Sequence, residues 1–270
     1  MTSDRPRARF GERTVPMVNR LGVWTLYVKE VQRFLKVVMQ TVAAPVVTTL
    51  LFLAVFILAL GRLRPDVGGL AFEEFLAPGL VMMAILQNAF ANTSSSITIA
   101  KVQGNIVDFL MPPLGPGELV FAFAMGGVTR GLIVAGVTMI GMAVVVPLPM
   151  VHLWAVLFFG LAASLVMSLA GILAAIWADK FDHLAAITNF VITPLAFLSG
   201  TFYSVASLPE GFQQAAHLNP FFYLIDGFRY GVTGYADGSV LIGVVYVALL
   251  VGGLWWLCYT AFRRGWRLKA

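Results

Sequence analysis

The chain contains six long apolar stretches separated by short polar segments, and this pattern constrains its fold more than any other feature. Crossing about 30 Å of hydrocarbon takes roughly 20 apolar residues at ~1.5 Å of helical rise each. Charged residues make up only 11% of the chain, against roughly 25% in ordinary soluble domains. We therefore predict an all-α polytopic membrane protein with six transmembrane helices, near 37–60, 75–99, 118–146, 151–177, 184–203 and 239–262.

The distribution of lysine and arginine predicts the orientation of these spans. Fourteen of the 18 lie on the same side as the chain termini, and three lie on the opposite side. Basic residues accumulate in cytoplasmic segments, so both termini are expected in the cytoplasm, with a bacterial inner (plasma) membrane as the expected location. The net charge of +5 then indicates contact with anionic membrane lipids and not a nucleic-acid partner. Residues 1–18 and 263–270 are expected to be basic cytoplasmic tails of a single transmembrane domain, residues 19–262.

The segment before the first span predicts an amphipathic helix over residues 21–38. Its apolar residues recur at helical spacing, and Thr25, Lys29, Gln32, Arg33 and Lys36 occupy the opposite face. Such a helix lies in the membrane interface with its basic face toward anionic headgroups. The alternative is that this segment only extends the first span, but a polar stripe this regular would be costly in lipid.

Two polar segments between the spans carry signals of their own. On the cytoplasmic side, residues 99–110 predict a short helix that Pro112 and Pro113 would stop. This helix is either a docking element for a cytoplasmic partner or an ordinary connector. On the external side, Asn219 and Pro220 predict the start of a helix that ends near Gly231 or Gly234.

The external helix has too many aromatic residues for a solvated loop. They predict a half-inserted, re-entrant element, on which Asp226 and Arg229 are spaced to pair on one face.

The spans themselves carry little ionisable chemistry. They contain no Asp or Glu between their ends, and Arg130 is the charge expected deep inside, in a structural role or in contact with a lipid-like substrate. The chain also lacks any Gly-Lys pair, so it has no phosphate-binding loop of the usual kind. Neither ion coupling nor its own ATP hydrolysis is therefore indicated. The polar half of the second span, residues 88–98, is expected to face other helices, a second copy of the chain or a central pathway.

Two stretches carry a resemblance to a known family. They are IVDFLMPPLGPGELVFAFAMGGVTRGL at 106–132 and LNPFFYLIDGFRYG at 218–231. The first has a proline-bearing turn before an acidic residue and a later Arg-Gly, and the second has Asn-Pro followed by aromatics and arginine. In this order and topology, the chain resembles the membrane subunit of a type-2 ABC exporter, a family that exports drugs and lipid-linked or nodulation-type glycans.

The resemblance implies a homodimer that assembles with two copies of a separate ATPase subunit. ATP and magnesium would bind that partner, and this chain would hold no cofactor, no metal and no catalytic residue. The interfacial helix and residues 99–117 would contact the ATPase, with coupling residues Lys101, Gln103, Asn105, Asp108 and Glu118. An external gate would consist of Asn219, Pro220, Phe221, Phe222, Tyr223, Asp226 and Arg229. A pathway with few charges suits an amphiphilic substrate.

Two other functions remain open at this point. An intramembrane lipid-modifying enzyme would need acidic and histidine side chains at one membrane face, and Asp179, Asp182 and His183 form such a cluster. The other possibility is a non-conducting membrane partner of an immunity or maturation complex.

Overall fold

The computed structural model describes residues 19–61 and 66–267, which are almost entirely helical. Each of the six predicted spans overlaps one observed helical segment, which confirms the fold class and shows a multi-pass membrane protein. Within the described residues, the segments long and apolar enough to cross a membrane are Met39–Ala59, Phe72–Val102, Pro116–Ala143, Leu153–Trp177, Phe181–Leu198 and Val240–Arg264. The predicted tail 1–18 and the last residues of the C-terminal tail, 268–270, lie outside the described residues.

The helices are numbered in chain order. They are α1 Arg20–Leu35, α2 Ala44–Leu60, α3 Phe72–Val102, α4 Val107–Leu110, α5 Pro116–Ala143, α6 Leu153–Trp177, α7 Phe181–Ile187, α8 Thr193–Leu198, α9 Glu210–Leu218, α10 Pro220–Thr233 and α11 Val240–Arg264. A short antiparallel hairpin precedes α3, with β1 at Asp66–Val67 and β2 at Leu70–Ala71. A 3₁₀ turn, Val205–Ser207, precedes α9, and π-helical segments at Met39–Ala43 and Thr188–Ile192 lead into α2 and α8.

Helix α1 is the predicted amphipathic helix, and it is separate from the first span. It begins at Asn19, whose side-chain oxygen accepts a hydrogen bond from the Gly22 backbone N–H at 3.0 Å. Leu26, Glu30 and Phe34 follow each other at four-residue spacing and form its buried face. The helix ends at Leu35, three residues earlier than predicted, where the backbone turns and then widens into the π-helical segment before α2.

Helix α3 lies at the centre of the bundle, with α5, α6 and α10 packed around it. Glycines allow this close approach. A Cβ atom at Gly171 of α6 would lie 2.7 Å from the Phe90 carbonyl oxygen, and one at Gly127 of α5 would lie 3.0 Å from that of Ala89. Helices α2, α8 and α11 lie at the periphery and leave large apolar side chains exposed. In a membrane protein such faces contact lipid or another chain.

The polar half of the second span is covered mainly by other helices of the same chain, one of the environments predicted for it. Asn92, Thr93, Ser94, Ser96 and Thr98 of α3 are all buried within this one chain. The covering helices come from distant parts of the sequence: α1 contacts α3 through Glu30 and Arg33, and α5 and α6 pack along α3. Thr93 Oγ1, for example, donates to the Ser168 carbonyl oxygen of α6 at 2.8 Å. The chain therefore covers these polar groups by itself, and among the described residues the buried Asn92 Nδ2 and Thr98 Oγ1 have no hydrogen-bond partner.

The cytoplasmic connector also differs from the single helix predicted over 99–110. Helix α3 continues through Val102, the chain turns at Gly104 with φ of +74°, and α4 covers only Val107–Leu110. The Asn105 N–H donates to the Ala100 carbonyl oxygen at 2.8 Å and closes the turn. Glycine adopts this left-handed backbone without steric cost, and its presence explains why one helix becomes two.

The external helix begins and ends as predicted. Asn219 Oδ1 accepts from the Phe221 N–H at 3.0 Å, Pro220 is the first residue of α10, and Gly234 ends it with φ of +81°. The preceding helix α9 was not predicted. Helix α10 packs against α6, where a Cβ atom at Gly231 would lie 2.5 Å from the Val156 backbone nitrogen.

Candidate functional site

A polar groove runs along the outside of the bundle between α2 and the segment that leads into α8, with α3 as its floor. It has a volume of about 510 Å³. Its polar side chains are amides and hydroxyls, and they are Gln40, Thr48, Thr49, Gln87, Asn88, Thr188, Asn189 and Thr193. Apolar groups such as Phe52 and Leu80 complete the lining. A surface of this mixed character, inside the membrane-spanning part of the chain, suits a molecule with both polar and apolar parts.

Both walls of this groove contain a π-helical turn followed by a proline. On one wall Gln40 belongs to the π-helical segment and Pro45 is the second residue of α2; on the other, Thr188 and Asn189 precede Pro194 in the same way. Wide turns of this kind, and prolines, are recognised causes of helix bending and occur frequently at functional sites. The groove therefore lies between two helices whose backbones are locally irregular at the same place.

The intramembrane charge Arg130 lies behind the floor of the groove. Its Nη2 donates to Asn88 Oδ1 at 2.9 Å, and Asn88 Nδ2 donates to the Ala84 carbonyl oxygen at 3.0 Å. Arg130 is 9% exposed and does not line the groove itself. Its observed contact fixes the Asn88 amide, which agrees with a structural role for this arginine.

A buried network connects α1 to α3 near the same level. Glu30 is completely buried and accepts from Ser96 Oγ at 2.7 Å. Arg33 lies 3.4 Å from Glu30 and donates to the Asn92 carbonyl oxygen at 2.6 Å and to Ser95 Oγ at 3.2 Å. Arg33 therefore binds α3, and its predicted position facing the headgroups is wrong.

Sequence reasoning missed Glu30 because buried ionisable groups were expected only within the predicted spans. The available signal was its spacing, since Glu30 is four residues from both Leu26 and Phe34 on the apolar face.

Of the predicted coupling residues, Gln103, Asn105 and Asp108 are exposed on the turn and on α4. The buried side of this segment contacts α1, because Lys29 Nζ lies 3.9 Å from the centre of the Phe109 ring and Asn19 Nδ2 donates to the Pro113 carbonyl oxygen at 3.3 Å. Helix α1 and the connector thus form one continuous surface, which we call the α1–α4 surface.

The other two predicted coupling residues make contacts within the chain. Lys101 Nζ donates to the carbonyl oxygens of Ala175, Ile176 and Ala178 at 3.2, 2.9 and 2.6 Å, where a cation stabilises the carboxyl end of α6. Glu118 accepts from the backbone N–H groups of Asn19 and Gly115, each at 2.5 Å. It therefore holds the amino ends of α1 and α5 together.

On the external side, α10 is held by a buried charge pair. Arg229 lies 3.9 Å from Asp226, donates to the Gly200 carbonyl oxygen at 2.6 Å and stacks over the Phe75 ring at 3.8 Å. Asp226 accepts from the backbone N–H groups of Asp237 and Gly238 at 2.8 and 2.9 Å. The predicted pairing of these two residues is thus observed.

The aromatic residues of α10 face the interior of the same chain. Phe222 is 1% exposed, Phe221 is 6% exposed, and Tyr223 is half-buried. Beside them, the Tyr235 hydroxyl donates to Asp237 Oδ1 at 2.6 Å, and burial raises the pKa of this hydroxyl, which keeps it a donor. All seven predicted gate residues lie on or at the start of α10, as one packed element.

The cluster considered for enzyme chemistry is exposed and only loosely connected. Asp179 lies 3.8 Å from Lys101, and its backbone N–H donates to His183 Nδ1 at 3.3 Å. Asp182 is exposed. Among residues 19–61 and 66–267, no group of three or more metal-ligating side chains lies together.

Six spanning helices, a groove lined with amides and hydroxyls, and a cytoplasmic-side surface formed by an interfacial helix and a short connector define a membrane transport subunit. The chain belongs to the ABC-2 type transporter family, whose model matches residues 22–233. This membership confirms the resemblance described above. It also confirms that the chain is a transport permease and not an enzyme, because the family consists of membrane transport subunits.

Curated relatives cover most of the chain. It is similar to the Inner membrane transport permease YadH of Escherichia coli (strain K12), with 34% identity over 247 residues, 91% of this chain and 96% of the relative. It is also similar to Nodulation protein J of Rhizobium leguminosarum bv. viciae, with 26% identity over 200 residues, 71% of this chain and 75% of the relative. Nodulation protein J of Rhizobium meliloti (strain 1021) is 24% identical over 245 residues, 89% and 88% of the two chains.

Proposed function

We propose that this permease moves an amphiphilic molecule, such as a drug, a lipid or a lipid-linked glycan, out across the inner membrane with energy from a separate ATPase. The observation that carries the proposal is the polar groove between α2 and α8. It offers hydrogen-bonding amides beside apolar walls and contains no acidic or basic side chain in its lining. An ion-coupled carrier would place ionisable groups at such a site.

The energy source is an ABC ATPase subunit that binds ATP and magnesium and docks on the α1–α4 surface. Exposed Gln103, Asn105 and Asp108 supply polar contacts for that partner, while Lys101 and Glu118 act by positioning helices. Because α1 is tied to α3 through Arg33, a force applied at this surface reaches the floor of the groove through α3. Helix α1 begins and α11 ends on this cytoplasmic side.

The working unit is a homodimer combined with two ATPase subunits. A groove lined with amides is costly to leave against lipid, and two grooves facing each other would enclose a pathway. Helix α10 closes that pathway on the external side by moving as one packed element, since its aromatics are anchored inside the protomer.

The test is reconstitution of the permease with its partner ABC ATPase, in vesicles that contain candidate amphiphiles. ATP hydrolysis and export should be stimulated by an amphiphile in the wild type. Gln87→Leu and Asn189→Leu remove polar groups from the groove and should reduce this stimulation about tenfold, the effect of losing roughly 1.4 kcal/mol of binding.

Phe190→Leu is the matched control for these variants. Phe190 is next to Asn189, is 82% exposed and does not line the groove. Stimulation that survives in both groove variants would show that the substrate takes another route. No stimulation of the wild-type complex by any amphiphile would remove the proposed substrate class.

A further inference from the structure

Another groove lies on the side of the bundle where α1 begins and α11 ends, away from the polar groove. It has a volume of about 700 Å³, within the ~300–1,000 Å³ range of ligand sites. The floor is the first part of α5, and the walls are α1 and α11. Its lining is almost wholly apolar and includes Val23, Trp24, Phe121, Met125 and Trp255.

The groove has open space at its floor and aromatic rings on its walls. A Cβ atom at Gly117 would be no nearer than 3.8 Å to another side chain, so this glycine leaves room above α5. Trp24 on one wall is 63% exposed, and Trp255 faces it from α11. Tryptophan and tyrosine concentrate at the boundary between hydrocarbon and headgroups. An apolar slot at this level is therefore shaped for an acyl chain.

One end of the groove carries a positive charge. Arg20 lines it and is exposed. The carboxylate in the lining, Glu118, already accepts from the backbone N–H groups of Asn19 and Gly115 and so faces two helix amino ends. Arg20 is thus the charge presented to a ligand. Basic pockets between membrane helices on the cytoplasmic side suit anionic lipid headgroups.

We propose that this groove binds one anionic phospholipid, with an acyl chain between α1 and α11 and its phosphate at Arg20. The lipid is a structural ligand and not the exported molecule, because the groove is separated from the polar groove by α3 and α5. It would hold α1 in place from the side opposite to the Arg33 network. Any effect of this lipid on ATPase docking at the α1–α4 surface rests on the proposed function, whereas lipid binding itself does not.

Fluorescence quenching by a lipid brominated on its acyl chains tests the site in the purified, detergent-solubilised permease. Brominated phosphatidylglycerol should quench part of the tryptophan emission with saturation. That saturable part should fall in Trp255→Phe, disappear in Trp24→Phe/Trp255→Phe and remain in Trp256→Phe, since Trp24 and Trp255 line the groove and Trp256 does not. Brominated phosphatidylcholine should bind about fivefold more weakly, the effect of about one headgroup–arginine contact.

Paired variants separate the acyl chain from the headgroup. Gly117→Leu fills the floor and should abolish saturable quenching, whereas Gly136→Leu, at an exposed glycine of the same helix with open space around it, should not. Arg20→Gln should weaken phosphatidylglycerol binding about fivefold, and Arg20→Lys should restore it. Equal binding of both lipids, or saturable quenching that persists in Gly117→Leu, would overturn the proposal.

Discussion

Glu30 shows how one residue outside the spans can fix the arrangement of helices inside them. A buried carboxylate is costly unless it is paired and hydrogen-bonded. Here Ser96 Oγ donates at 2.7 Å and the Arg33 guanidinium lies 3.4 Å away. Gly126 of α5 lies against the same side chain, because a Cβ atom there would be 2.7 Å from Glu30 Cβ. Three helices therefore meet at this carboxylate.

Replacing Glu30 by Gln should destabilise the permease by about 1–3 kcal/mol, because the Arg33 charge loses its anion while the side-chain volume is kept. Thermal unfolding of the purified protein measures this effect. Lys36→Gln, at an exposed position just after α1, is the control and should change stability by less than about 0.5 kcal/mol. The double variant Glu30→Gln/Arg33→Gln should recover part of the loss. Strictly additive losses would show that the two side chains do not interact.

At the scale of single helices, the sequence predicted what depends on local composition. Hydropathy located all six spans, and Asn219 with Pro220 located the start of α10, because an N-cap and a first-turn proline act within one turn. Local signals failed where the backbone conformation of one residue determines where a helix ends. Gly104 is the example, because its positive φ separates α3 from α4. Helix α9 was missed although it is amphipathic, because its nine residues are few and include only two large apolar side chains.

The connector between α3 and α5 is predicted to couple ATP hydrolysis to transport through its exposed polar side chains. Changing Gln103, Asn105 and Asp108 together to alanine should abolish substrate-stimulated ATP hydrolysis, since their side chains are exposed and form no part of the core. Membrane insertion and thermal unfolding should stay unchanged, and both are measured on the same preparations. Lys180→Ala/Asp182→Ala, at exposed positions just before α7 and in its first turn on the same side, is the matched control. Equal loss in both variants would indicate a general effect on the cytoplasmic side.

At the scale of the whole molecule, the sequence could not tell which faces the chain covers by itself. The hydroxyls and amides of α3 were compatible with cover by other helices, by a second copy or by a pathway, and in the structure α1, α5 and α6 cover most of them. This arrangement joins residues far apart in the sequence, such as Arg33 with Asn92, 59 positions apart, and Thr93 with Ser168, 75 positions apart, and no local pattern encodes it. Polar side chains also remain exposed in the groove between α2 and α8, at Gln40, Thr48 and Asn189.

Because α3 is covered within one chain, we expect the dimer contact at the helices that flank the groove and not at α3. The polar groove needs cover, whereas the exposed face of α11 is apolar and suits lipid. Leu51 on α2 and Leu249 on α11 are 60% and 72% exposed. Cysteine variants at these two leucines therefore compare the groove face with the α11 face at similar exposure.

Cysteine crosslinking in membranes distinguishes the two faces, after Cys258 has been replaced by serine. Leu51→Cys should join two copies in high yield, because facing grooves bring the two α2 helices close together. Leu249→Cys should remain monomeric, since its helix faces lipid. A nucleotide-trapped ATPase should change the yield at Leu51 if the grooves open and close during transport. Crosslinking through Leu249 but not Leu51 would place the contact on α11 and leave each groove open to lipid, which would contradict an enclosed pathway between two copies.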